Sequence, residues 1–332
     1  MSRFGATILD ADGLTLTAEE VAFFKDANPF GLILFARNID TPDQVRRLCD
    51  QMRDAVEREA PITIDQEGGR VQRLRGPTWT EWSSPLDFVT AAGDQAEQAM
   101  YLRYRLIAAE LCDLGIDSNC APMVDLAGPA THDFLRNRCY GASPDAVARL
   151  GRATASGLLA GGVLPVLKHI PGHGRATLDS HFGLPRIDAD AATLMAEDFA
   201  PFKALADLPM GMTAHLVYDA FDTQPATLSP KIMKVIRDDI GFDNLIMTDD
   251  ASMKALSGTI EEITTGALAA GCDVVLHCNA PLDQRKRVAE AAGEMTDAAQ
   301  ARAERALSFR NPPDDIDIDA ARAQLEALVR GA

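Results

Sequence analysis

VLPVLKHI (163–170) starts as an unbroken apolar run, closes on a lysine and a histidine, and leads directly into PGHG (171–174). It is one of eight short β-rich runs spaced along the chain. The others are FGATILD (4–10), GLILFAR (31–37), PITIDQE (61–67), GIDSNCAP (115–122), PMGMTAHL (209–216), NLIMTDD (244–250) and CDVVLHC (272–278). Helical periodicity fills the intervals. In TPDQVRRLCDQMRDAVERE (41–59), Thr41 is placed to cap, Pro42 takes the first helical position, and Val45, Leu48, Cys49, Met52 and Val56 form the apolar stripe. The stretches 94–115, 143–162 and 229–241 follow the same plan and each closes on glycine, the residue that best ends a helix.

Strands alternating with helices predict a parallel sheet covered by its crossovers. An open doubly wound sheet uses about five or six strands, and its dinucleotide fingerprint is missing. The first run continues into DADG (10–13), not into a glycine-rich turn. The expected fold is therefore α/β, a (β/α)8 TIM barrel. At roughly 150 residues per domain the length of the chain would suggest two domains, but a barrel of about 250 residues or more is one. Residues 1–332 are expected to form a single catalytic domain, with a helical tail from about residue 312, at Pro312-Pro313.

The chain carries 32 Lys+Arg against 49 Asp+Glu, a net charge of -17. That field repels phosphate backbones and anionic lipid, so neither nucleic acid nor a membrane is an expected partner. The six cysteines are scattered, with no C-x-x-C pair, and read as reduced thiols. No apolar signal-peptide core opens the sequence, and no run of about 18 apolar residues crosses it. A soluble, cytoplasmic, monomeric protein is expected.

Barrel enzymes gather their functional groups at the carboxyl ends of the strands. Here Asp65 and Glu67 close the third run, Asp125 follows the fourth, Lys168 and His169 close the fifth, His215 the sixth, and Asp249 and Asp250 the seventh. One such Asp is equally well explained as a helix cap. Polar closures on strands three, five and seven together point to a shared site.

The richest segment is KHIPGHGRATLDSH (168–181). His169, His173 and His181 have plausible zinc-ligand content, but Pro171 and Gly172 spoil the helical spacing and the first run offers no H-x-H pair. No metal and no organic cofactor is expected. The better reading couples the loop to Asp249. A carboxylate at a strand end can attack an anomeric carbon while a nearby proton donor assists the leaving group. In Asp179-Ser180-His181 the carboxylate can orient and activate the imidazole for that transfer.

ITIDQEGGRVQRL (62–74), NCAPMVDL (119–126), RNRCYG (136–141), VLKHIPGHG (166–174), DSHFGLP (179–185) and LIMTDDASM (245–253) resemble, in order, the motifs of family-3 glycoside hydrolases. Within that family they are similar to the single-domain bacterial β-N-acetylglucosaminidases of cell-wall recycling. The resemblance covers about residues 5–280. It implies a retaining exo-hydrolase acting on a small molecule, GlcNAc-1,6-anhydro-MurNAc with or without peptide. Asp249 would be the nucleophile and His181, held by Asp179, the acid/base. Asp65, Arg73, Arg138, Lys168 and His169 would grip the sugar. The chain departs from the family pattern at Cys139-Tyr140, Ile170, Arg175 and Ala251, none of which removes a catalytic group. Gly68 and Gly69 are expected to let the backbone approach the sugar. The rival readings are a family-3 β-glucosidase or β-xylosidase, a metal-dependent hydrolase, and a catalytically inactive sugar-binding barrel.

Overall fold

The computed structural model describes residues 3–129, 131–178 and 183–330. Each of the eight runs supplies one barrel strand: β1 Gly5–Asp10, β2 Pro29–Leu34, β3 Ile62–Ile64, β4 Ser118–Asn119, β5 Leu164–Ile170, β6 Met210–Thr213, β7 Leu245–Met247 and β8 Val275–His277. All pair in parallel, in chain order from β1 to β7, and β8 returns to β1. A bridge between Met247 and Val274 joins the remaining seam. The predicted α/β barrel is the fold of the chain.

Alternation along the strands divides the apolar residues into two layers. Ala6, Ile8, Ile33, Cys120, Val166, Met212, Met247 and Leu276 point inward and fill the barrel. Leu9, Leu32, Ile62, Leu167 and Ile246 point outward, against the surrounding helices. The barrel is a packed plug, so a site can open only at an end.

The helix Pro42–Val56 forms as expected, with the Thr41 hydroxyl accepting from the backbone N–H of Gln44 at 3.3 Å and the predicted stripe buried. Two stretches differ from the reading. β2 begins two residues early and its run ends in a short 3₁₀ turn, Ala36–Asn38, because the Asn38 side chain draws in the Phe35 N–H at 2.9 Å. The segment 229–241 is α-helical only over Pro230–Lys234, then widens to a π-helix over Val235–Ile240 before Gly241 ends it at φ 83°.

Past β8, the helix Leu282–Ala292 covers the barrel and brings in Arg285, which is fully buried and ion-paired with Asp12 and with Glu20 at 3.3 Å. The helix Asp297–Leu307 closes the amino end, adding Ala299, Ala303 and Ala306 to the interior. A last helix, Ile318–Arg330, packs on Ala96–Asp113. Among the described residues, no helix is long and apolar enough to cross a membrane.

The helices Ala96–Asp113 and Pro144–Ala160 make the most intimate contact of the outer ring. A Cβ on Gly157 would lie 2.4 Å from the Tyr101 carbonyl oxygen, backbone that cannot yield. Gly157→Ala should therefore cost about 1–3 kcal/mol as an overpacking substitution. Urea denaturation measures it, and an unchanged midpoint would contradict this packing.

Candidate active site

The carboxyl end of the barrel holds a cavity of about 240 Å³. Its floor is the top layer of the plug: Ile33, Cys120, Met212 and Leu276. A floor made of packed core makes the pocket blind. Its walls carry Asp65, Arg73, Arg138, Lys168, His169 and Asp249, six residues singled out in the sequence and here brought together.

Lys168, at the end of β5, is 2% exposed. Its Nζ lies 2.9 Å from Asp65 Oδ1 and 2.7 Å from Glu67 Oε1. Glu67 also receives a two-pronged bond from Arg138, at 2.9 and 2.7 Å, and Asp65 Oδ2 accepts from Arg73 at 3.0 Å. Burial alone would raise both carboxyls, but the cations win. Arg138 and Lys168 pull Glu67 down to about 2, and Lys168 and Arg73 hold Asp65 well below the usual carboxylate range. Burial would strip the proton from Lys168, yet the two carboxylates keep its value above the ordinary one. Every member is charged, three cations against two anions.

A hairpin, Gln66–Gly68 with Val71–Gln72, carries Arg73 back to Asp65. Gln66 fixes the return, its side-chain oxygen accepting from the N–H groups of Arg73 and Leu74 at 3.0 and 3.1 Å. The glycines do not serve the sugar as expected. Gly68 has φ 106°, and a Cβ there would meet the Arg103 guanidinium at 2.0 Å; one on Gly69 would meet Ser84 at 2.9 Å. Protein fills the space, so they are glycines for the turn.

His169 is held by Asp125, whose Oδ2 lies 2.7 Å from Nδ1. A carboxylate accepts, so Nδ1 carries the proton and Nε2 is left for the pocket. Asp125 Oδ1 accepts the His173 N–H at 2.6 Å. The His173 ring is buried, and desolvation with His169 beside it pushes it down to about 4.

Asp249 follows β7, four strands round from β3 and so across the barrel from Asp65. Its Oδ1 accepts the Asp250 N–H at 2.8 Å. Burial would raise its carboxyl, but His169, His215 and that N–H outweigh burial, and the group is ionised below its ordinary value. The Asp250 carboxylate serves differently, accepting from the Ser252 N–H and hydroxyl at 2.9 and 2.8 Å and from the Cys278 N–H at 3.3 Å. It ties the loops after β7 and β8 together.

Asp179 and His181 lie outside the described residues. The approach to them is anchored: the Tyr218 hydroxyl donates to the Gly172 carbonyl at 2.6 Å, and Thr131 to that of Gly174 at 2.6 Å. Arg175, one of the departures from the family pattern, pairs with Asp198 at 2.6 Å and with Glu197. Among the described residues, no group of three or more His, Cys, Asp or Glu is placed to hold a metal ion.

Sequence reading gave no role to Glu67, although it marked the residue at the end of strand three. Its partners are 71 residues away at Arg138 and two strands round the barrel at Lys168, and no local pattern announces them.

The family model described as glycosyl hydrolase family 3 N terminal domain matches residues 8–308. The chain is 36% identical over 285 residues to a beta-hexosaminidase of Alkalilimnicola ehrlichii, covering 83% of this chain and 81% of that one. It is 38% identical over 287 residues to a beta-hexosaminidase of Chromobacterium violaceum, covering 83% and 79%. Among solved structures it is similar to NagZ from Neisseria gonorrhoeae in complex with N-trifluoroacetyl-D-glucosamine, with a TM-score of 0.88, 30% identity and 98% of each chain covered.

Lys168→Met should leave two buried carboxylates facing each other. Breaking a buried pair in this way costs about 3–5 kcal/mol, read from urea denaturation; a loss below about 1 kcal/mol would contradict the network. The pH dependence has a definite sign. Glu67 is depressed on folding, so its contribution is complete above its unfolded value of about 4.3 and is lost as pH falls toward about 2. Wild-type stability should fall over that window, and that of Lys168→Met should fall less.

Proposed function

The chain belongs to glycosyl hydrolase family 3 and is a β-N-acetylhexosaminidase, and from that premise we propose a retaining exo-β-N-acetylglucosaminidase working through a covalent bond to Asp249. One observation carries the reading. Asp249 is an ionised carboxylate in a blind pocket, with the Asp65–Lys168–Glu67–Arg138 network fixed on the opposite wall.

The network supplies the grip. Carboxylate oxygens of Asp65 and Nε2 of His169 retain lone pairs for sugar hydroxyls, and Lys168, Arg73 and Arg138 donate to them. A sugar held there presents its anomeric carbon to Asp249. Attack by Asp249 Oδ2 breaks the glycosidic bond and forms a glycosyl ester; His181, oriented by Asp179, gives its proton to the leaving oxygen. The same imidazole then takes a proton from water as that water hydrolyses the ester. A blind pocket admits only a chain end, which favours exo action.

The substrate of this proposal is the terminal β-GlcNAc of peptidoglycan fragments, GlcNAc-1,6-anhydro-MurNAc with or without peptide. It rests on the β-hexosaminidase relatives and on the N-acyl-glucosamine bound by the gonococcal NagZ. Action in the cytoplasm belongs to the same proposal, supported by six cysteines that are all unpaired, as does a monomeric state. A second reading of the acid has an observation of its own: Asp125–His169 is a carboxylate–imidazole pair that reaches the pocket.

Asp249→Asn should lose several orders of magnitude in kcat, because an amide cannot form the ester. A 5-fluoro-GlcNAc reagent should label Asp249 in the wild type; label on Asp125 or Asp250 by peptide mapping would overturn the assignment.

The acid is identified by how its loss depends on the leaving group. His181→Ala should lose about 10²–10⁴-fold on a disaccharide and much less in the first step on an activated aryl glycoside, with Asp179→Asn a milder copy. If His169→Ala shows that split and His181→Ala does not, His169 is the acid.

A further inference from the structure

His215, at the end of β6, is 1% exposed and does not line the pocket, yet it is bonded at both ring nitrogens. Its Nε2 lies 3.1 Å from the Asp250 carbonyl oxygen. A carbonyl only accepts, so Nε2 carries the proton. The largest influence on this ring is desolvation, which disfavours the charged form and lowers its value below the ordinary one, so the ring is neutral and Nδ1 is an acceptor. The Thr227 hydroxyl, 2.7 Å away, donates to it in preference to the Ala214 carbonyl at 3.3 Å. That hydroxyl has one hydrogen, so the Thr213 hydroxyl, 2.8 Å from it, donates in turn. The sequence of bonds runs Thr213 to Thr227 to His215 to the Asp250 carbonyl, and the N–H of the same residue, in the preceding peptide, donates to Asp249 Oδ1 at 2.8 Å.

We infer that Thr227, in the short turn Ala226–Leu228, is a positioning residue for Asp249: it selects the His215 tautomer that holds the Asp250 carbonyl, and so steadies the residue whose N–H, one peptide earlier, occupies Asp249 Oδ1 and leaves Oδ2 for the sugar. The inference rests on Asp249 being the nucleophile. Without the hydroxyl, Nδ1 is a buried acceptor with no partner, the ring is free to take its proton there, and of its two donors the Asp250 carbonyl keeps only the Met253 N–H, at 3.1 Å. Asp250 is then held less firmly, its N–H shifts, and the Asp249 carboxylate rotates with it. Binding of the sugar, which depends on the network across the barrel, is untouched. The effect belongs to kcat.

Thr227→Val removes the hydroxyl at nearly constant shape, and Thr227→Ser keeps it. For p-nitrophenyl-β-GlcNAc, Thr227→Val should lower kcat about 10–100-fold, the scale of a small misplacement of a reacting group, with KM within about twofold. Labelling of Asp249 by the 5-fluoro reagent should slow in parallel, and Thr227→Ser should restore kcat to within about threefold of wild type. Imidazole ¹⁵N NMR of the unmodified protein should show His215 protonated at Nε2, a readout that stands even if Thr227→Val fails to fold. Wild-type kcat in Thr227→Val, equal damage in Thr227→Ser, or a His215 proton on Nδ1 would overturn the inference. If wild-type label falls on a residue other than Asp249, the nucleophile assignment fails and takes this inference with it. Label on Asp249 at an undiminished rate in Thr227→Val overturns this inference alone.

Discussion

An ammonium group with almost no access to water is stable only where anions replace its hydration. Lys168 meets that condition twice, with Asp65 and Glu67 each within 3 Å, and the geometry of the barrel mouth follows from it. Asp65 is fixed from β3 and Lys168 from β5, so the pair spans β4 between them. Glu67 brings in Arg138 from the loop after β4, and Asp65 brings in Arg73 through the hairpin. Each charge is held by another whose strand the barrel has already placed. The result is a rigid array of donors and acceptors on one wall of the pocket, formed before any ligand arrives. Such preorganisation is what binding a polyhydroxylated ring demands.

The opposite wall is built for the reverse purpose. A nucleophile must be ionised without being tied up, and Asp249, the nucleophile of the proposal, has no direct ion pair among the described residues. Although burial would raise it, its carboxyl lies below its ordinary value, with one backbone N–H donating to it and the Lys168 cation at a distance. Its neighbour Asp250 takes the structural duty, spending its carboxylate on the loops after β7 and β8. Two adjacent, chemically identical side chains thus divide into the proposed reactive group and a brace because successive side chains at a strand end diverge. The packed plug below both walls excludes water and blocks the far end.

The barrel was legible because a fully buried parallel strand reads as a short apolar run, and eight runs separated by helical stretches leave few other arrangements. β4 is the thinnest: only Ser118–Asn119 forms a regular ladder, with Pro122 lacking an N–H three residues on. Six site residues were legible from their place at strand ends and their motifs, and they do share one pocket. Glu67 was not, since its meaning lies in Arg138 and Lys168, which approach only through the closed barrel. Gly68 was misread for a similar reason: the group that crowds it, Arg103, comes from a helix. The π-helical stretch 235–240 has no marker in a sequence whose periodicity is that of an ordinary helix.

If Asp249 is the attacking group, two successive displacements at one carbon return its original configuration. Proton NMR during the first minutes of p-nitrophenyl-β-GlcNAc hydrolysis tests this most directly, before mutarotation mixes the anomers. β-GlcNAc should appear first, with the α signal growing in later. First appearance of the α-anomer, or no release of GlcNAc at all, would contradict it.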